Sequence, residues 1–273
     1  MSEFCGIGKN IKKHKCCRCC EPDSGYDVEM IKIEEEKRKK VHVFSYGDLV
    51  TDQLALLLKG KGISKVVFGY SGVPKEYLQL LERHGIDWVK EKKGLSNVAV
   101  AEEGIFLVGK WFQMMGIRFE LNGKNALVLG SEGFIGKSLC RILRGFGCNV
   151  LNYDIVFREK RHLDLWLDFA DLIFVCTPEL SEPLLGEMEF GLMNNNPLIV
   201  NVSGRVSLVN EKVLHKYLDA GKVLGYACDE ESEPFKNCFF QKHQGAKSIE
   251  ATERRLVEKE KNINLANSNN NRN

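Results

Sequence analysis

A chain of 273 residues can bury one large core or two modest ones, and we expect two. Its 39 basic and 37 acidic side chains leave a formal charge of +2, a mixed balance that argues against a general nucleic-acid or membrane-surface role. No stretch approaches the roughly 20 consecutive apolar residues that a membrane helix needs, and the N-terminus lacks the apolar core of a secretory signal, so the expected location is the cytoplasm.

Residues 1–40 read as a leader rich in Cys and Lys that is expected to be disordered. Cys5, His14, Cys16, Cys17, Cys19 and Cys20 crowd its first half. Thiolates spaced this closely can close a zinc or iron–sulfur site. No second CxxC follows at the spacing of known fingers, so a redox-sensitive leader without metal is preferred, with Cys16, Cys17, Cys19 and Cys20 as the minor metal-binding alternative. Lys32 to Lys40, KIEEEKRKK, reads as a solvated helix or linker.

A small α/β unit is expected over 41–97. Val41 to Phe44 and Lys65 to Phe68 are short apolar strands, and a helix starts between them at Asp52. Pro74 to Arg83 has helical period, with Tyr77, Leu78, Leu80 and Leu81 available for packing. Gly85 stops that helix before a strand from Ile86 to Val89. Val98 to Met115 is a long apolar helix that bridges to the next unit, with its boundary at 98–116.

Residues 125–154, NALVLGSEGFIGKSLCRILRGFGCNVLNYD, read as strand, glycine turn, helix, second strand and terminal acid. Ala126 to Leu129 is a buried parallel strand. In the turn that follows, Gly130, Gly133 and Gly136 let backbone approach a ligand closely. The unpaired N–H groups at the start of the next helix favour a diphosphate, so the cradle is expected along Gly130, Ser131, Gly133, Phe134, Ile135 and Gly136. Leu139, Ile142, Leu143 and Phe146 give that helix an apolar face. Asp154, ending the strand Val150 to Tyr153, is placed to accept hydrogen bonds from ribose hydroxyls and would repel a 2′-phosphate, so NAD is favoured over NADP. Ser131 occupies the first place of a GxGxxG, with a glycine one residue earlier. The turn can also be read as GxxGxxG, the style of short-chain reductases and epimerases.

Asp171 to Cys176, Pro197 to Val202 and Val223 to Cys228 are further buried strands, the last of them closing the sheet. The fold expected is α/β: a Rossmann-type doubly wound parallel sheet over 117–245 beside the smaller unit. In such sheets ligands bind beyond the carboxyl ends of the strands, where Thr177, Ser203, Arg205 and Asp229 fall. A helix over 246–260 and a polar, Asn-rich tail over 261–273 with too little apolar surface to fold complete the chain.

From Leu163 onward the sequence resembles the D-isomer-specific 2-hydroxyacid dehydrogenases. LDLWLDFADLIFVCTPEL is similar to that family's strand ending in a Pro loop near the cofactor. LMNNNPLIVNVSGRVSLVNEKVLHKYLDAGKVLGYACDEESEP is similar to its signature running to Glu-Pro, and NCFFQKHQGAKSIEA to its histidine loop. Upstream, VAVAEEGIFLVGKW is similar to its bridging helix, so the resemblance spans about 62–257. It favours the GxGxxG reading of the turn and makes the smaller unit a shortened, flavodoxin-like substrate domain.

The resemblance implies an NAD-dependent interconversion of a small D-2-hydroxy acid and its 2-keto acid. His243 is then the general acid/base, Glu233 the carboxylate that orients it, and Arg205 the grip on the substrate carboxylate. It also implies Thr177, Pro178, Ser203 and Asp229 near NAD, Ser71 and Gly72 on the substrate, and a homodimer, with neither nucleic acid nor membrane as partner. The chain departs from the family pattern at several points. Gly204-Arg205 reverses an Arg-Gly order, Asp229 and Glu233 are one residue closer than usual, and Lys242 replaces a proline. A non-catalytic NAD(H)-binding sensor or scaffold derived from the family is the alternative.

Overall fold

The computed structural model describes residues 41–44, 48–68, 73–155 and 160–269. The expectations for Cys16, Cys17, Cys19, Cys20, Ser71 and Gly72 lie outside those residues. The described residues divide into two compact units, one from Lys92 to Val257 and the other made of those up to Glu91 with those from Glu258 onward.

The smaller unit is a three-stranded parallel sheet, β1 (Val41–Phe44), β2 (Lys65–Phe68) and β3 (Asp87–Lys90), in that spatial order. The helices α1 (Asp52–Gly60) and α2 (Lys75–Arg83) make the crossovers. Thr51 starts α1 by accepting the Leu54 N–H on its hydroxyl at 3.2 Å, a cap worth about 1 kcal/mol. Phe44, Phe68, Ala55, Leu58, Leu81 and Ile86 form one core, in which the Phe44 and Phe68 rings stack at 4.9 Å. Val41, Val43 and Val67 point to the opposite face and meet Ile263.

That last contact corrects the reading of the C-terminus. The final helix runs from Ile249 to Asn269, well past the expected end at 260. Asn-rich sequence has little helix propensity of its own. Ile263, only 3% exposed, docks on the valines, and tertiary burial overrides the local preference.

The larger unit carries a six-stranded, wholly parallel sheet: β4 (Asn125–Leu129), β5 (Asn149–Tyr153), β6 (Leu172–Val175), β7 (Leu198–Asn201), β8 (Gly225–Cys228) and β9 (Cys238–Phe240). Their spatial order is β5-β4-β6-β7-β8-β9. The expectation that Val223 to Cys228 is the last strand therefore fails. Cys238–Phe240 pairs in parallel with β8, and three residues are too few to show a period.

Side-chain alternation along the strands explains the layers. Ala126 and Val128 face α3 (Asn97–Met114) and α4 (Phe134–Gly145), packing with Leu107, Trp111, Leu139 and Leu143. Leu127 and Leu129 face the other way, toward α5 (Lys160–Phe169), α6 (Glu187–Gly191) and α7 (Glu211–Asp219), with Leu167, Phe190, Leu214 and Leu218. Each buried Val, Leu or Phe among them contributes about 1.5–3 kcal/mol. A sheet covered on both faces needs near-continuous apolar strands, which is what β4, β6 and β7 are. Burial pushes the Cys140 thiol up to about 11 and the Cys228 thiol up to about 12, so both stay protonated and serve as small core residues. Among the described residues, no helix is long and apolar enough to cross a membrane.

Candidate functional site

The strand order reverses at β4, which has β5 on one side and β6 on the other. The carboxyl ends of β4 and β6 therefore border the crevice where doubly wound sheets bind ligands. The glycine turn leaves β4 at this point. Gly130 has φ +86°, and a Cβ there would lie 3.1 Å from the Cys176 carbonyl and from the Thr177 side chain. The turn is pinned by Gly130 and Ser131 N–H groups that both donate to the Tyr153 carbonyl, at 2.9 and 3.1 Å. Gly133 N–H donates back to Gly130 O at 3.1 Å and opens α4. The helix's first amides, those of Phe134 and Ile135, have no acceptor one turn back. Gly136 sits where α4 crosses the turn.

Asp154, at the end of β5, accepts the Glu132 N–H on Oδ2 at 3.1 Å, so the acid and the turn form one unit. At the end of β6, Thr177 Oγ1 is buried and has no hydrogen-bond partner. Pro178, next to it, is exposed.

Beyond β7, Asn201 builds the next loop from inside the sheet. It is fully buried and accepts from Ser203 Oγ at 2.6 Å and Ser203 N at 3.1 Å on its Oδ1. Its Nδ2 donates to Arg205 O at 2.9 Å and to the Tyr226 hydroxyl at 3.1 Å. Ser203 is therefore committed to this turn. The exposed Arg205 side chain folds onto the same loop, with Nη1 donating to Ser203 O at 2.8 Å.

Beyond β8, Asp229 is 1% exposed, and both its oxygens are taken. Oδ1 accepts from Gln241 Nε2 at 2.7 Å and Gln244 N at 2.9 Å, and Oδ2 accepts from Gly245 N at 2.8 Å. Asp229 thus holds the loop that carries His243. Gln241 extends the hold to α3, donating to Glu103 Oε1 at 2.7 Å while accepting from Lys110 Nζ at 2.7 Å.

His243 lies across Gly204. A Cβ at 204, where φ is +65°, would fall 2.1 Å from the imidazole Cε1 and 2.5 Å from Nδ1. The carboxylate that meets Nδ1 is Glu230 Oε2, at 3.2 Å. Glu233, expected in that place, is exposed and has no such contact with the ring. Sequence reasoning missed Asn201, Gly204, Glu230 and Gln241. A polar residue ending the buried run LIVN was an available signal for Asn201. The Gly-Arg reversal was one for Gly204, whereas nothing distinguishes Glu230 within DEESE.

The family model of the D-isomer specific 2-hydroxyacid dehydrogenase, NAD binding domain, matches residues 100–245. The chain belongs to this family. The matched region takes in all but the first three residues of α3, the glycine turn and all six strands of the larger sheet, and NAD is the cofactor of that domain. Glyoxylate reductase of Korarchaeum cryptofilum is 29% identical over 136 residues, 45% of this chain and 40% of its own length. D-3-phosphoglycerate dehydrogenase of Methanocaldococcus jannaschii is 30% identical over 165 residues, 52% of this chain and 31% of its own. The chain thus spans less than half the length of these curated relatives. Among solved structures, apo D-lactate dehydrogenase from Escherichia coli superposes with a TM-score of 0.73 at 20% identity, covering 90% of this chain and 94% of that one. The likeness is one of fold.

Proposed function

We propose that the chain is an NAD-dependent oxidoreductase interconverting a small D-2-hydroxy acid and its 2-keto acid. The observation that carries this reading is the convergence of His243 and the Arg205 loop at Gly204, on the same carboxyl edge of the parallel sheet as the glycine turn. The residues present fit a dinucleotide. A glycine turn opens a helix with free N–H groups, an acid ends β5, and the unpartnered Thr177 hydroxyl sits at the switch point. Gly130, Ser131, Gly133, Phe134, Ile135 and Gly136 would hold the diphosphate, Asp154 the adenine ribose, and Thr177 and Pro178 the nicotinamide half. Ser203 and Asp229, saturated by their own loops, would shape that pocket rather than bind NAD through their side chains.

Bound NAD supplies the hydride acceptor or donor. His243 would take the substrate hydroxyl proton in oxidation and return it to the carbonyl oxygen in reduction. Arg205 would grip the substrate carboxylate with the guanidinium N–H groups left over from Ser203. Phe106, Met114, Ile117 and Phe146 are exposed apolar side chains of the larger unit that a homodimer would cover, and we place the protein in the cytoplasm.

NADH oxidation against glyoxylate, pyruvate, hydroxypyruvate and phenylpyruvate tests the reading. Saturable turnover of one of them is expected, and NADH binding without turnover of any would replace it by the second reading, a non-catalytic NAD(H)-binding sensor or scaffold. What favours that second reading is Arg205, whose guanidinium is spent in part on its own loop.

Thr177→Val bears on the cofactor site alone. Replacing an unpartnered buried hydroxyl by a methyl group of the same shape should raise stability by about 1 kcal/mol. NADH affinity should fall about three- to tenfold, the loss of one hydrogen bond. Denaturant unfolding and NADH titration of the same protein check both, and unchanged affinity would remove Thr177 from the NAD site.

A further inference from the structure

Of the four carboxylates in the segment Asp229 to Glu233, one faces the imidazole. Asp229 is turned inward and saturated by Gln241, Gln244 and Gly245. Glu231 and Glu233 are exposed. Glu230 alone reaches the ring, at Nδ1. The charged groups around His243 are then Glu230, Arg205 on the facing loop, the adjacent Lys242, and Asp229 beneath the loop.

We infer that Glu230, not Glu233, is the positioning residue for His243, fixing its tautomer while Gly204 provides the seat for the ring. An ionised carboxylate only accepts hydrogen bonds, so the atom facing it must be Nδ1–H, which leaves Nε2 bare as the proton acceptor. The seat is as specific as the partner. Any side chain at 204 would occupy the space of Cε1 and Nδ1, and the left-handed backbone there favours glycine. The reversed Gly-Arg order therefore lets the imidazole settle into the loop and meet the nearer of two glutamates. The consequence for turnover rests on the dehydrogenase reading, whereas the tautomer assignment does not.

The test is 15N NMR of the imidazoles in the full-length chain at about pH 8.5, well above the ordinary histidine value near 6.5. The His243 signals are identified by their loss in His243→Gln. In the parent protein the protonated-type signal is expected at Nδ1. Glu230→Ala should move it toward Nε2, the tautomer preferred by imidazole in water, and Glu233→Ala should leave it in place. A signal that moves in Glu233→Ala, or in neither variant, overturns the assignment.

If the chain turns over keto acids, Glu230→Ala should lower kcat about two- to fivefold with little change in KM, as befits a half-exposed pair. Glu230→Gln, whose amide oxygen still accepts from Nδ1, should recover part of that loss. A Glu230-dependent tautomer in a protein that reduces none of the keto acids would sink the dehydrogenase reading and leave this inference standing.

Discussion

His243→Ala is expected to cut kcat for keto-acid reduction by about 10²–10⁴-fold, the usual contribution of a positioned general acid/base. NADH affinity should stay within about twofold, a change of less than 0.5 kcal/mol. The separation follows from geometry. His243 touches Gly204 and Glu230 on the loops after β7 and β8, whereas the dinucleotide residues follow β4, β5 and β6. The ring is also half-exposed, with a side-chain accessibility of 47%, so its removal opens no core cavity. Stopped-flow turnover beside fluorescence titration of NADH measures both quantities. A variant that keeps full kcat would take the acid/base role away from His243, and one that loses NADH binding would show that the loop shapes the cofactor site as well.

Gly136→Ala should do the reverse, damaging the fold and the cofactor site together. A Cβ at 136 would fall 2.1 Å from Gly130 O, 2.8 Å from Ser131 Cα and 2.9 Å from Gly130 C. All three are backbone atoms of the turn, so no side-chain rotation relieves the clash. Either α4 rides up from β4 or the turn deforms, and each uncouples the helix N-terminus from the phosphate site. Overpacking on this scale costs about 1–3 kcal/mol or more, and NADH affinity is expected to drop at least 100-fold, equivalent to about 2.7 kcal/mol. Gly145→Ala is the control. It lies in the last turn of the same helix with nothing within 4 Å of its Cβ position, and it should be neutral or stabilise by about 0.5 kcal/mol. Urea unfolding of both variants separates local crowding from a general aversion to alanine in α4. Wild-type stability and affinity in Gly136→Ala would refute the packing argument.

The parts of the fold legible in the sequence were those with a strong local period. Strand, glycine turn, helix and strand from Asn125 to Tyr153 have dimensions set by the sheet and by α4 lying across it, so composition and spacing suffice. What the sequence hid was set by contacts distant along the chain. Ile263 stands between two asparagines with Leu265 close by, and nothing local says which of the two apolar side chains is buried until Ile263 meets Val41 and Val67 while Leu265 stays exposed. Cys238–Phe240 is a strand because β8 offers it an open edge. The choice between Glu230 and Glu233 depends on where Asp229 anchors the chain, and that anchor is made by amides at Gln244 and Gly245. Spacing places a glutamate near the histidine but cannot say which one.

Gln241 binds three charged partners with one amide group, donating to Glu103 and Asp229 and accepting from Lys110. With Gln241 itself, these residues come from α3 and from two loops more than a hundred positions later in the chain. Exchanging any one of the four alone strands a donor or an acceptor in the others. Replacement at this cluster would therefore have to be concerted: a histidine loop grafted from a relative would keep these bonds only if the matching positions of α3 travelled with it.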